Sequence, residues 1–165
     1  MRILRHIIYA VFASLFLASL AGCGGAKLSV ADEQMARGEY FEAQKTYRKV
    51  YNKLTKREER PQRGVVAYRM GLCYDKLAMS ARASSAFANA IRYGYPDSTA
   101  ILLMAKSLQA EGKYAQAINA YEDFLKLNPK SATAQTGLAG CRWAVNQKST
   151  PTRYQVRQAK LFNSR

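Results

Sequence analysis

The side chains that could act as nucleophiles, bases or metal ligands are few and scattered. The chain has three cysteines (Cys23, Cys73 and Cys141), one histidine (His6) and 11 acidic residues among 165. Three cysteines are an odd number, too few for a disulfide scaffold and spaced unlike a zinc site. The acids stand alone or in adjacent pairs such as Glu58-Glu59 and Glu122-Asp123. Neighbours in sequence point apart on a helix, so these pairs are solvated charges rather than a general acid and its base. No glycine-rich phosphate loop is present, and Gly24-Gly25 reads as a flexible spacer after a cysteine. These residues predict no catalytic centre, no metal and no cofactor.

The elements that position the cysteines give them different meanings. Arg2, Arg5 and His6 precede an apolar run of 14 residues, Ile7 to Leu20. That is shorter than the ~17–25 residues of a membrane-spanning helix but fits the hydrophobic region of a secretory signal. The run ends in Leu20-Ala21-Gly22-Cys23. This resembles the bacterial lipobox, cut by signal peptidase II before the cysteine. The resemblance implies a signal over 1–22, lipidation of Cys23 and a membrane anchor. Two or three acyl chains hold far better than one, since each buried methylene contributes ~0.8 kcal/mol. Gly24 rather than Asp follows, which favours the outer membrane. Removing the signal takes His6 as well. It leaves 24 basic and 11 acidic residues, a charge of +13 against +15 for the whole chain. A high positive charge suggests nucleic-acid binding, but export to the periplasm excludes that partner.

The exported part repeats. In a 34-residue frame over 98–131, Gly112, Tyr114, Ala117, Tyr121 and Pro129 stand at offsets 15, 17, 20, 24 and 32. The frame over 64–97 has Met70, Gly71, Tyr74, Ala83, Phe87 and Ala90 at offsets 7, 8, 11, 20, 24 and 27. Gly38, Tyr40, Ala43 and Tyr47 repeat the pattern in a frame over 24–57, with six extra residues around Lys56–Arg63. The pattern resembles the tetratricopeptide (TPR) repeat, a helix-turn-helix unit. Small residues at offsets 8 and 20 let the paired helices approach, and large ones at offset 24 fill the gap. Gly38 and Gly112 end first helices where a left-handed residue is wanted, and Pro129 stops a second helix. Each unit buries its apolar side only against a neighbour. The predicted fold is therefore all-α: a TPR-like α-solenoid of about three units, with a capping helix over 131–147. In that helix Arg142 replaces the aromatic of offset 11. A basic, linker-like tail over 148–165 follows.

In TPR proteins, offsets 2, 5, 9, 12 and 13 line the concave face. The resemblance thus implies a groove for a protein partner with Val65, Tyr68, Leu72, Asp75 and Lys76 from the second unit. Thr99, Leu102, Lys106, Gln109 and Ala110 come from the third. Trp143 either packs the cap or joins the groove. Tyr68, Leu72 and Leu102 depart from the Lys and Asn of repeats that clamp a C-terminal carboxylate. Cys73 and Cys141 share offset 10 two units apart, on the order of 20 Å at a helix spacing of ~8–10 Å. No disulfide is expected there, and both read as small packing residues.

The charge is local. Lys45, Arg48, Lys49, Lys53, Lys56, Arg57, Arg60 and Arg63 face only two acids, a local +6. Lys148 to Arg165 adds five basic residues and no acid, while the remaining exported chain holds 11 basic and 9 acidic residues. The first cluster is either a solvated helix face or a contact with anionic lipid or peptidoglycan, where each cation adds about 1 kcal/mol near the surface.

A lipobox followed by three TPR units is similar to the outer-membrane lipoproteins of the OmpA family that serve type IX (Por) secretion. In the tail, Arg153-Tyr154, Ala159-Lys160 and Asn163-Ser164 resemble the segment entering the β-propeller of those proteins. These 165 residues contain neither the propeller nor the peptidoglycan-binding domain of those proteins. The alternatives are the TPR lipoproteins of the outer-membrane protein assembly (Bam) machinery, though they typically carry five repeats, or a cell-envelope or peptidoglycan-associated accessory protein. Either resemblance implies a non-enzymatic, lipid-anchored scaffold in an envelope complex on the periplasmic side of the outer membrane.

Overall fold

The computed structural model describes residues 27–149. The signal, Cys23 and the tail beyond Ser149 lie outside the described residues. Seven α-helices follow one another without a strand among those residues: α1 (Leu28–Ala36), α2 (Tyr40–Lys53), α3 (Arg60–Lys76), α4 (Ser80–Arg92), α5 (Thr99–Ala110), α6 (Tyr114–Leu127) and α7 (Ala132–Ser149). Each packs chiefly on the helix before and after it, the nearest-neighbour arrangement of a solenoid. Three hairpins and a seventh helix make up the expected all-α architecture. α7 runs to Ser149, two residues into the stretch read as linker. The extra residues between the first two units form a 3₁₀ turn, Arg57–Glu59, and the first turn of α3. Pro61 suits that first turn because its missing N–H would have no helical partner there.

The offset-24 aromatics Tyr47, Phe87 and Tyr121 are fully buried, with Ala43, Ala83 and Ala117 buried on the same helices. Gly71 permits the contact between α3 and α4. A Cβ placed on it would stand 2.7 Å from the Phe87 ring. Cys73 and Cys141 are buried and unpaired. Burial pushes the Cys73 thiol up to about 11 and raises that of Cys141, so both are poor nucleophiles.

The first helix of every hairpin ends in the same pair of bonds. After α1, the Glu39 N–H donates to the Gln34 carbonyl (2.9 Å) and the Gly38 N–H to that of Met35 (3.0 Å). This Schellman turn needs a left-handed residue, and Gly38 and Gly112 supply it with φ of 78° and 74°. In the second unit the position falls to Ala78, at φ 55°. Arg142, in place of an aromatic, reaches back to α6 and pairs with Glu122 at 2.7 Å.

Candidate functional site

Where α1 and α3 diverge, a groove of about 530 Å³ opens across the first two units. The spacing of α3 turns Val65, Tyr68 and Leu72 to its wall, and α1 contributes Asp32, Met35 and Ala36. Tyr95 closes one side from the turn between α4 and α5. Tyr95 stacks on Tyr68 with ring centres 4.2 Å apart and planes at 14°, and Tyr68 leans on buried Phe87 at 5.8 Å. The aromatic wall is thus fixed from behind by the core.

The polar floor is also fixed. Arg69 donates from one guanidinium nitrogen to both Asp32 oxygens, at 2.8 and 2.7 Å. The Tyr47 hydroxyl donates to the same carboxylate at 2.6 Å. Burial first, and then this bond, hold the Tyr47 phenol far above its ordinary range. Arg69 and Asp32 are each about a third or more exposed, 35% and 40%. The pair therefore stands at the groove surface, where its contribution to stability is modest but its position is set from three elements.

Val65, Tyr68 and Leu72, expected from their offsets, come together here. Leu102 packs half-buried against the C-terminal core. Gln109 is occupied as well, its side-chain oxygen accepting the Tyr121 hydroxyl at 2.6 Å. Lys76 and Lys106 are exposed. Trp143 is 65% exposed, so it does not pack the cap, and it is not among the residues lining the groove. Asp32, Met35, Ala36, Tyr47, Arg69 and Tyr95 are the lining residues that offset reasoning missed. Asp32 occupies offset 9 of the first unit and carried a signal, whereas Tyr95 belongs to an inter-unit turn and carried none.

The basic cluster divides. Arg48, Lys49, Lys53, Lys56 and Arg57 are exposed and form no ion pair among the described residues. Lys45 pairs with Glu42 at 3.0 Å and lies 4.5 Å over the Phe41 ring. Arg60 sits 5.8 Å over Tyr93. Arg63 turns inward: it donates to the Leu54 carbonyl at 2.9 Å and lies 4.3 and 4.9 Å over Tyr51 and Tyr93. It acts as a packing residue between the first two units.

A smaller cleft of about 380 Å³ lies between α4 and α6, floored by Met104 and Leu108. Among the described residues, no three His, Cys, Asp or Glu side chains gather as a metal site. No helix there is long and apolar enough to cross a membrane.

Two sequence profiles described as tetratricopeptide repeat match the chain, over residues 66–98 and 102–146. No curated protein matches it. Solved TPR structures share the fold. The first TPR of Spaghetti (RPAP3), bound to the HSP90 peptide SRMEEVD, is 22% identical over 72% of this chain and 89% of that one, with a TM-score of 0.57. The second TPR domain of human RPAP3, in complex with an HSP70 peptide, is 18% identical over 69% and 90%, with a TM-score of 0.57. The Sgt2 TPR domain from Aspergillus fumigatus is 19% identical over 79% and 86%, again with a TM-score of 0.57. Profiles, neighbours and helix geometry agree: this chain is built of tetratricopeptide repeats folded as an all-α solenoid.

Proposed function

We propose that the protein is a non-catalytic, lipid-anchored scaffold on the periplasmic side of the outer membrane. It holds a segment of a protein partner in the groove between its first two units, as a component of a type IX-like secretion assembly. The observation that carries the binding role is the aromatic and aliphatic wall of Tyr68, Tyr95 and Leu72, held rigid by Phe87 and by the Asp32–Arg69–Tyr47 bonds. A preformed apolar groove with a few oriented polar groups is what peptide recognition requires. Peptides bound to two of the similar structures support the same use of the fold. The lipobox supports the anchor, and the tail resemblance supports the secretion context. Near the anchored end, exposed Arg48, Lys49, Lys53, Lys56 and Arg57 add an electrostatic contact with anionic lipid or peptidoglycan.

The test is affinity capture of the full-length lipoprotein from membranes, wild type beside a Tyr68→Ala/Leu72→Ala variant whose helicity and thermal unfolding are checked first. Loss of the co-purifying envelope protein from a folded variant is expected. Retention of the same partner at the same yield moves the site out of this groove.

A further inference from the structure

The charges around the groove specify its occupant more closely than its shape does. The exported chain is strongly basic, yet among the described residues the guanidinium of Arg69 is the sole cationic group lining the groove, and Asp32 neutralises it through two bonds. Arg69 is therefore already engaged and is a poor receptor for a second carboxylate. Asp97 stands two residues beyond Tyr95. One of its oxygens accepts the Thr99 N–H at 2.8 Å and also the Thr99 hydroxyl. Those bonds hold the Asp97 carboxyl below its ordinary range, so it is ionised at neutral pH. Its charge reaches both stacked phenols: after burial, Asp97 helps to raise Tyr95, and together with Tyr95 it raises Tyr68. The groups acting on Tyr95 are thus Asp97, Arg69 and Tyr68, with Asp32 behind Arg69. Their sum is one negative charge beside a stacked pair of aromatic rings. A cation over such a ring is attracted by its negative face, more strongly once water is excluded.

We propose that the groove selects a partner segment bearing a basic side chain, seated over Tyr95, with Asp97 supplying the complementary charge while Asp32 cancels that of Arg69. This rests on the groove being the binding site. None of the basic residues of α2 lines the groove. Asp32 then has a second role as a specificity-determining residue. By occupying Arg69 it prevents the groove from accepting an acidic peptide end.

The experiment uses the full-length chain in detergent and two labelled peptides. One is a short amidated peptide alternating Leu, Phe and Arg; the other has every Arg replaced by Glu. Fluorescence anisotropy should show the basic peptide bound about tenfold tighter, a typical desolvated cation–π difference. Asp97→Asn, which keeps an oxygen to accept the Thr99 bonds, should weaken it severalfold. Tyr95→Leu, which keeps the apolar contact and removes the ring, should weaken it at least as much. Asp32→Asn should narrow the preference by freeing Arg69 for the acidic peptide. Equal or tighter binding of the acidic peptide, still lost in Tyr68→Ala/Leu72→Ala, would overturn the charge preference and leave the groove standing. Failure of both peptides to bind, or binding indifferent to Tyr68→Ala/Leu72→Ala, would overturn the groove reading along with it.

Discussion

The two junctions between successive units occupy one register and are closed by different polar devices. At the second junction, Ser84 at offset 21 donates to Glu111 at offset 14 of the next unit, and Lys113 pairs with the same carboxylate at 2.6 Å. The three groups lie close in space and the Glu111 side chain is only 8% exposed. At the first junction, offset 21 is Gln44, 3% exposed, and offset 14 of the next unit is Leu77. Among the described residues no carboxylate meets the amide, and the Gln44 oxygen has no hydrogen-bond partner. The ties there are spread out instead: Arg63 between Tyr51 and Tyr93, and Arg69 reaching Asp32 across 37 residues of sequence. The groove opens at the junction that lacks the compact network. A solenoid can keep its helix register while one junction opens into a groove, because the repeat frame fixes only the small and large packing positions.

The largest expected effect tests those packing positions at the C-terminal end. A Cβ on Gly137 would stand 2.3 Å from the Tyr121 ring, whereas one on Gly140 meets only the Gln109 amide nitrogen, at 3.6 Å. Overpacking costs about 1–3 kcal/mol and rigid close contacts lie at the upper end. Replacing a helical glycine by alanine regains up to about 1 kcal/mol of backbone preference. Gly137→Ala should therefore lose about 2 kcal/mol in urea unfolding, while Gly140→Ala should gain about 0.5 kcal/mol. Equal effects at the two sites would mean that Tyr121 has room to move, and the frame would be looser than its packing implies.

The network at the second junction predicts a pH dependence of stability. Burial opposes ionisation of Glu111, but the Lys113 and Ser84 bonds outweigh it and hold the carboxyl below its ordinary range. A group with a lowered folded pKa adds stability above its unfolded value, about 4.3 for glutamate, and loses it as the pH falls through the folded value. Glu111→Gln should be about 1 kcal/mol less stable than wild type at pH 7. The difference should vanish in acid. A gap that persists in strong acid would assign the Glu111 effect to shape rather than charge.

The fold was legible because its signals repeat. Gly38 and Gly112 marked helix ends and do so with positive φ, and the offset-24 aromatics marked the buried seam. The site was legible only where it coincides with the repeat: Tyr68 and Leu72 were readable from their offsets. Asp32, Met35 and Ala36 stand at concave-face offsets 9, 12 and 13 of the first unit and were readable there but not read; Arg69 was missed because its meaning lies in a pairing across units, and Tyr95 because it sits in an irregular turn. Arg63 shows the reverse error, since a run of basic residues does not reveal that one of them folds under two aromatic rings. Ala78 is a local conflict, an alanine where the turn wants glycine. Left-handed backbone costs an alanine roughly 1 kcal/mol. Ala78→Gly should raise stability by about 0.5–1 kcal/mol, bringing the first helix of the second unit to the standard of its neighbours. Thermal unfolding of the variant, with Gly112→Ala as its mirror, measures both signs.

The smallest effect bears most directly on the two junctions. A buried polar atom without a partner keeps its desolvation cost and gains no bond, so replacing it by an apolar group of similar size is close to neutral or stabilising. Gln44→Met conserves the length of the side chain and removes the unpartnered oxygen, and it should change stability by no more than about 0.5 kcal/mol, in the stabilising direction. Ser84→Ala, at the same offset one unit on, removes a donor that Glu111 uses and should cost about 1 kcal/mol. Urea midpoints for the two variants, measured at equal denaturant dependence, compare the junctions at one position in the frame. If Gln44→Met costs as much as Ser84→Ala, the amide is engaged in solution. The two junctions would then be equivalent, and the groove would owe nothing to a missing contact.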